Sequence, residues 1–368
     1  MLVGYTSSAA IVFQAAHAAG ATAAEISSWL WALGIGMGLT CIGLSLYFRS
    51  PVLTAWSTPG AALLVTGLAG LPMAEAVGIF LFNALLITVA GFSGWFDRLM
   101  RHVPQTLTAA MLAGVLLRFG LDVFAVLPTQ GILVGLMMTC YLLGRRNIPR
   151  YAVPLTFLVG LLVAGSQGLI ALEGIHIELA KPVFVSPTFS WSSLIGVGVP
   201  LFIVTMASQN IPGLAVLRAN GYQTPASPLI GWTGLTGLVL APLGGFSFNL
   251  AAITAAICMS KDADADPGRR YLAAVWAGVF YLLTGLFGAT VVSLFAAFPR
   301  ALIVTIAGLA LLGTIGNGLA SALAHEKQRE AALITFLVTA SGLSLFGIGS
   351  AFWGLALGVA TAWINRPR

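Results

Sequence analysis

Ala55-Trp56-Ser57-Thr58-Pro59-Gly60-Ala61-Ala62-Leu63 can be laid against Gly245-Phe246-Ser247-Phe248-Asn249-Leu250-Ala251-Ala252-Ile253 at an offset of 190 residues. An aromatic residue, a serine and an Ala-Ala pair then coincide. Both stretches lie in apolar segments interrupted by turn-type or polar residues, Pro51 to Thr66 and Pro242 to Ser260. Neither can cross a bilayer as a simple helix, which needs about 20 residues. Further on, His102-Val103-Pro104-Gln105 matches Ala297-Phe298-Pro299-Arg300 at an offset of 195. Each match is weak alone, because apolar sequences resemble one another. In order and at similar offsets they favour an internal repeat.

The surrounding sequence says which solvent such segments meet. The chain has 368 residues, 58% hydrophobic and 8% charged. A water-facing surface cannot be built from so few charges, so lipid must surround most of the molecule. The 43 glycines suit a tight bundle, since small residues let membrane helices approach closely. The formal charge of +6 does not indicate nucleic acid, because the Lys and Arg residues are scattered in short gaps between apolar runs. Cys41, Cys140 and Cys258 each sit in an apolar run, without disulfide or zinc spacing, and read as small core residues. No cleavable signal is evident, and the first span is short and polar enough to suggest that its upstream half is missing.

Apolar runs predict spans near 1–20, 28–48, 58–70, 74–95, 104–120, 122–143 and 151–171. A polar stretch at about 172–190 follows, with Glu173, His176, Glu178 and Lys181. A second set is predicted at 192–218, 227–243, 248–260, 270–296, 299–321, 330–347 and 349–365. The fold expected is an all-α polytopic membrane protein of about fourteen segments, two repeats of seven, with strand-plus-half-helix breaks in the third and tenth. Seven is odd, so the second repeat must run inverted. With both termini cytoplasmic, fourteen of the 17 Lys and Arg residues fall inside and three (Arg118, Lys181, Arg300) outside. That asymmetry sets the orientation.

Inverted repeats with discontinuous spans point to a secondary transporter. A half-helix beginning at mid-membrane leaves free N–H groups and a positive dipole end there, which an anion satisfies. Ser57, Thr58, Pro59 and Gly60 read as such a start, with Thr58 as N-cap and Pro59 in the first helical position. Val52, Leu53, Thr54 and Trp56 just before suit a strand. In the second repeat, Ser247 or Asn249 is the candidate cap. All eleven Asp and Glu fall in loops or at span ends, which agrees with an anionic substrate rather than a cation.

The strongest local signal is Ala207-Ser208-Gln209-Asn210-Ile211-Pro212-Gly213-Leu214 in the eighth span. It reads either as a kinked packing helix or as a substrate-facing polar break. Tyr5, Thr6, Ser7 and Ser8 in the first span are similarly polar, and Ser7 aligns with Ser208. Trp56, Phe246 and Phe248 flank the half-helix starts and read as core packing or as walls around an aromatic body. His17 is a weaker candidate for carrying a proton, against a packed or mouth-facing histidine. The run Lys261-Asp262-Ala263-Asp264-Ala265-Asp266 lacks the glycine and terminal Glu of a calcium loop and reads as a solvated turn. No nucleotide-binding glycine loop or Walker lysine is found. Neither a cofactor nor a metal is expected, nor a catalytic dyad of the kind an intramembrane enzyme needs.

Val3-Gly4-Tyr5-Thr6-Ser7-Ser8-Ala9-Ala10-Ile11, the Ala55–Ala62 stretch and Ser208-Gln209-Asn210-Ile211-Pro212-Gly213-Leu214-Ala215-Val216-Leu217-Arg218-Ala219-Asn220-Gly221-Tyr222 resemble the benzoate membrane transport protein family (BenE). The resemblance runs over essentially the whole chain. It implies benzoate:proton symport in a bacterial inner membrane, with an aromatic carboxylate and a proton as partners. The family is distantly similar to uracil and nucleobase-ascorbate transporters. That similarity implies a core domain from 1–102 and 192–298, a gate domain from 103–172 and 299–368, and an extracytoplasmic connection at 173–191. It also implies a substrate between core and gate near the third and tenth spans, and a homodimer by analogy. Two departures stand out. More chain usually precedes the Gly-Tyr-Thr-Ser-Ser motif, and Gln209 and Asn249 stand in regions where nucleobase carriers have acids. Alternatives at this stage are a transporter of the same architecture for another anion or a nucleobase, and a passive anion channel.

Overall fold

The structure, a computed structural model, describes residues 2–94, 104–171, 177–260, 263–343, 345 and 350–365. Its helices are α1 (Leu2–Ala18), α2 (Ala23–Phe48), α3 (Thr58–Gly67), α4 (Met73–Phe92), α5 (Gln105–Ala125), α6 (Gly131–Asn147), α7 (Ala152–Ser166), α8 (Trp191–Arg218), α9 (Ala226–Leu240), α10 (Ile253–Cys258), α11 (Tyr271–Leu286), α12 (Gly288–Ala297), α13 (Arg300–Leu323), α14 (Arg329–Ala340) and α15 (Ser350–Ile364). Two short strands, β1 (Thr54–Trp56) and β2 (Phe248–Leu250), complete it. Among the described residues six helices are long and apolar enough to cross a bilayer, or seven if the bent pair α11–α12 is one span.

Glycine decides how closely the helices pair. α2 packs on α11, and α4 on α9. A Cβ added to Gly34 would stand 2.5 Å from Gly285 Cα, and one on Gly91 would stand 2.3 Å from the Gly231 nitrogen. Such backbone contact is how membrane helices gain packing energy without a hydrophobic driving force. A second group joins α13 and α14 to α5, α15 to α14, and α7 to α6. Helix starts follow local chemistry: Thr22 and Glu25 form a reciprocal capping box on α2, while Pro72, Pro104 and Pro299 occupy the N-cap positions of α4, α5 and α13.

Several elements correct the sequence reading. The sixth run, expected from 122, begins at Gly131, because α5 continues to Ala125 and the turn falls after it. The 270–296 run is not one helix: α11 and α12 meet at a 69° bend. The carbonyl of Leu286 at that bend accepts the Ala180 N–H at 2.8 Å. The eighth span is not broken at its polar stretch. α8 runs on through two π-helical turns, Leu194–Gly198 and Met206–Asn210. Each turn is followed, one residue on, by a proline, Pro200 or Pro212. A proline clashes with the carbonyl four residues back, and a widened turn relieves it without ending the helix.

Residues 177–190 cross one end of the bundle without helix or strand. Val183 N–H donates to Ser28 Oγ, Val185 N–H to Pro242 O and Thr188 N–H to Ala74 O. This strap therefore ties α2, α4, the turn after α9, and α11 together.

Candidate functional site

The two interrupted segments meet. β1 and β2 pair antiparallel, Thr54 opposite Leu250, Ala55 opposite Asn249 and Trp56 opposite Phe248. Strand backbone inside a membrane must have every polar group satisfied by protein. α2 does much of this: Ser45 Oγ donates to Val52 O at 2.9 Å, and Cys41 Sγ accepts the Thr54 N–H at 3.1 Å. Met37 Sδ accepts the Trp56 N–H at 3.1 Å. Cys41 thus serves the strand directly, beyond filling space.

Beyond β1 the chain turns into α3. Ser57, not Thr58, is the N-cap: its Oγ accepts the Gly60 N–H at 3.0 Å, and its carbonyl accepts the Ala61 N–H at 2.7 Å. Thr58 is the first helical residue and Pro59 the second, one place later than the sequence reading. The cap shifts because Ser57 takes the extended backbone that a cap needs and its N–H is drawn to Ser247 O at 3.1 Å. Gly60 is required by crowding, since a Cβ there would stand 2.8 Å from Ser57 Oγ and 2.9 Å from Leu201 Cδ1.

The second interrupted segment differs from expectation. Neither Ser247 nor Asn249 caps a helix. Ser247 forms the turn into β2, Asn249 lies within β2, and α10 begins at Ile253 after Ala252, with no side-chain cap. The first residues of the two strands, Thr54 and Phe248, stand 194 residues apart, against the 190 of the sequence alignment, and Pro104 and Pro299, 195 apart, are both N-caps.

Ser247 is the hub. It is a non-glycine residue at φ +43°, fully enclosed. Its carbonyl accepts both the Ser57 N–H and Asn249 Nδ2, the latter at 2.8 Å, and Asn83 Nδ2 reaches its Oγ at 2.8 Å. Asn83, from α4, was missed by the sequence reading. It is the lone polar residue between Ala76 and Ile87, and a polar residue inside an apolar span is the signal that would have found it. Asn210 of α8 accepts the Leu250 N–H on its Oδ1 at 2.9 Å and donates to Met206 Sδ at 3.2 Å, so it fastens β2 to the π turn. Asn83, Thr205, Asn210 and Asn249 are all 0% exposed, and the Asn83 Oδ1, Thr205 Oγ1 and Asn249 Oδ1 atoms have no hydrogen-bond partner among the described residues.

The remaining candidates divide. Trp56 Nε1 donates to Ser8 Oγ at 2.8 Å, bringing the first span onto β1. Ser208 donates back to Val204 O in its own helix, and Gln209 beside it is half-buried. Phe246 packs with Trp29 and Phe80, ring centroids 5.8 and 5.7 Å away, and Phe248 fills the space left by Gly36 and Gly237. Tyr5 and Ser7 lie on α1, but their side chains are outside the described residues. His17 is not deep in a span; it is exposed in the last turn of α1, its ring 6.5 Å from Phe13. Glu173, His176, Lys261 and Asp262 fall outside the described residues. Among the described residues no group of His, Cys, Asp or Glu could hold a metal.

Paired strands and carboxamides enclosed among apolar helices define a multi-pass helical membrane protein with a polar interior, the construction that solute transporters share. Solved structures with this fold include SLC26A9, at TM-score 0.61 and 13% identity over 93% of this chain and 63% of that one. The transmembrane domain of a cyanobacterium bicarbonate transporter, BicA, aligns at TM-score 0.57 and 13% identity, over 98% of this chain and 95% of that one. By sequence the chain is 52% identical over 358 residues to the inner membrane protein YdcO of Escherichia coli K12, covering 97% of this chain and 92% of that protein. It is 40% identical over 364 residues to the benzoate membrane transport protein of Acinetobacter baylyi, covering 99% and 92%. The family profile described as benzoate membrane transport protein, BenE, matches residues 1–364. The chain belongs to that family, which is one of membrane transport proteins and not of enzymes.

Proposed function

We propose that this protein is a secondary active transporter that takes up benzoate or a similar aromatic carboxylate with a proton across a bacterial inner membrane. The observation that carries the reading is the pairing of β1 with β2, which brings a helix start and three buried carboxamides to one place inside an apolar bundle. The carboxyl group of the substrate sits between the start of α3 at Ser57–Gly60 and the Ser247–Asn249 segment. Ser208, Gln209, Asn210, Ser7 and Ser8 supply further polar contacts, and Trp56, Tyr5, Phe246 and Phe248 the aromatic surroundings.

The architecture proposed is fourteen segments in two inverted repeats of seven. Its support is the packing itself. Exchanging each segment with its partner seven places on turns the α2–α11 contact into the α9–α4 contact, and the Gly34–Gly285 crossing into Gly231–Gly91. Residues 1–102 and 192–298 form the core, 103–172 and 299–368 the gate, and 173–191 the extracytoplasmic connection. Transport moves core against gate, and both termini are cytoplasmic. A homodimer is proposed by analogy with the wider fold.

The test is uptake of labelled benzoate into proteoliposomes with and without an inward proton gradient. The expected result is accumulation driven by the gradient, blocked by uncoupler and by unlabelled benzoate. Uptake of uracil or inorganic anions in place of benzoate would overturn the substrate class. Conduction without accumulation would overturn the symport.

A further inference from the structure

An open groove lies away from the paired strands, on the outward side of α7. Its volume is about 620 Å³, and Ile148, Tyr151, Pro154, Leu158 and Leu161 are among the residues that line it. Apart from the Tyr151 hydroxyl, every lining side chain is apolar. The other side of α7 is the packed one. Ala152, Thr156, Gly160 and Ala164 are buried there at four-residue spacing, with Met137 of α6 against Gly160. Ile148 and Leu158 stand exposed, so no described residue covers the groove.

The groove is as long as one lipid leaflet is deep. Leu161 is ten residues beyond Tyr151, a rise of about 15 Å along the helix. Half of a hydrocarbon core of about 30 Å is the same length. Tyr151 stands at the entrance to α7, in the turn Pro149–Tyr151. Tyrosine favours the border of the hydrocarbon, since its ring is apolar and its tip is not.

Charge at that end selects among lipids. Between Asp122 and Glu173 the charged residues are Arg145, Arg146 and Arg150, with no acid among them. Arg145 is occupied within the protein: its Nη1 donates to the Tyr141 hydroxyl at 3.0 Å, and a Cβ on Gly313 of α13 would stand 2.7 Å from that nitrogen. Arg146 is exposed, two residues before Ile148, and has no hydrogen bond or ion pair among the described residues. Arg150 directly precedes Tyr151 in the turn. Guanidinium groups pair with phosphate through parallel N–H donors, and basic residues just beyond a span attract anionic headgroups. A second copy of the chain suits the groove less well. In a two-fold contact a patch meets itself, which would bring two arginine clusters together with no acid between them.

We propose that the α7 groove holds an acyl chain of an anionic phospholipid, whose phosphate sits at Arg146 and Arg150. Apolar contact alone would accept any lipid; the arginines make the site prefer a negative headgroup.

The test is native mass spectrometry of the purified full chain, delipidated in neutral detergent, with phosphatidylglycerol or phosphatidylcholine of identical chains. Each arginine near the headgroup contributes about fivefold in affinity, so phosphatidylglycerol should bind about 25-fold more tightly. Arg146→Gln should cut that preference about fivefold, and Arg146→Gln with Arg150→Gln should abolish it. Arg218→Gln, at an exposed arginine in the last turn of α8, should leave it intact. Leu158→Trp fills the groove and should weaken both lipids alike. On the native chain, hydrogen exchange of residues 146–151 should slow when phosphatidylglycerol is added, which locates the site even if a variant fails to fold. Equal binding of the two lipids, a preference that survives loss of both arginines, or unchanged exchange at 146–151 would overturn the proposal. Competition by soluble glycerol phosphate as strong as by the lipid would make this a phosphate site without an acyl chain, and a lipid-free dimer broken by Leu158→Trp would give the groove to a second copy; either would overturn it too.

Discussion

Gly244→Ala should be among the most damaging single-methyl additions in this protein. Gly244 ends the turn Ala241–Leu243 that leads into Ser247, and it has φ +93°. An alanine there costs about 1–2 kcal/mol in backbone strain alone. Its Cβ would also stand 1.9 Å from Trp29 Cδ1 and 2.6 Å from Cγ and Nε1. Trp29 cannot step aside, because it is fully buried with Phe80 at 5.1 Å and Phe246 at 5.8 Å between ring centroids. Overpacking of that kind costs about 1–3 kcal/mol, which brings the sum to roughly 2–5 kcal/mol. The assay is the thermal midpoint in detergent, followed by size exclusion with fluorescence detection. Two controls separate the contributions. Gly70→Ala has φ +82° but open space at its Cβ, so it should show the strain part alone. Gly135→Ala, in α6 with nothing near, should be neutral or slightly stabilising. A Gly244→Ala protein with the parent's midpoint would refute the reasoning.

Four further outcomes are expected. Ser57→Ala removes the α3 cap and should lower stability by about 1 kcal/mol, with Ser57→Thr, which keeps the capping hydroxyl, losing less, as read by the same thermal assay. Gly34→Val forces α2 away from α11, where the added Cβ would stand 2.5 Å from Gly285 Cα, and should abolish monodisperse protein on size exclusion. Asn83→Ala strips the Ser247 hydroxyl of its partner; the apparent KM for benzoate uptake should rise severalfold while the protein stays monodisperse. Burial pushes the Tyr222 hydroxyl above its ordinary pKa, with Arg270 pulling it partly back. The fold thus favours the neutral phenol, which donates to Pro267 O at 2.9 Å. That stabilisation is fully present below the ordinary tyrosine pKa and is lost as pH rises through the folded value. Tyr222→Phe should remove this part of the alkaline loss, followed by thermal midpoint against pH.

Composition and run length made the membrane helices legible, because a helix surrounded by lipid must be apolar all round. The strand at Thr54–Trp56 was also legible, from β-branched and aromatic residues before a Pro-Gly helix start. Its partner was expected only through the repeat, as a strand-plus-half-helix break in the tenth segment, and not from its own residues. Phe248-Asn249-Leu250 carries no strand signature of its own; it is extended because β1 and Asn210 supply its hydrogen bonds, a tertiary cause. The polar run at Ser208–Asn210 left a kinked packing helix and a substrate-facing break both open, and the structure carries the helix through it. Proline with a π turn before it lets a helix continue, and the sequence alone does not distinguish that from a break. Asn83 was overlooked because its run was otherwise so plainly a span.

Ala55 and Asn249 are neighbours in space but 194 residues apart along the chain. At a synthesis rate of about 5–20 residues per second, β1 waits roughly 10–40 s for its partner to be made. Throughout that interval one edge of β1, and the Ser57 N–H beyond it, have no strand to bond in a medium that offers no water. The nascent first half therefore has reason to linger in the insertion machinery, or to stay hydrated, until residue 250 has emerged. The pairing that joins the two interrupted segments is thus also a late and exposed step in making the protein.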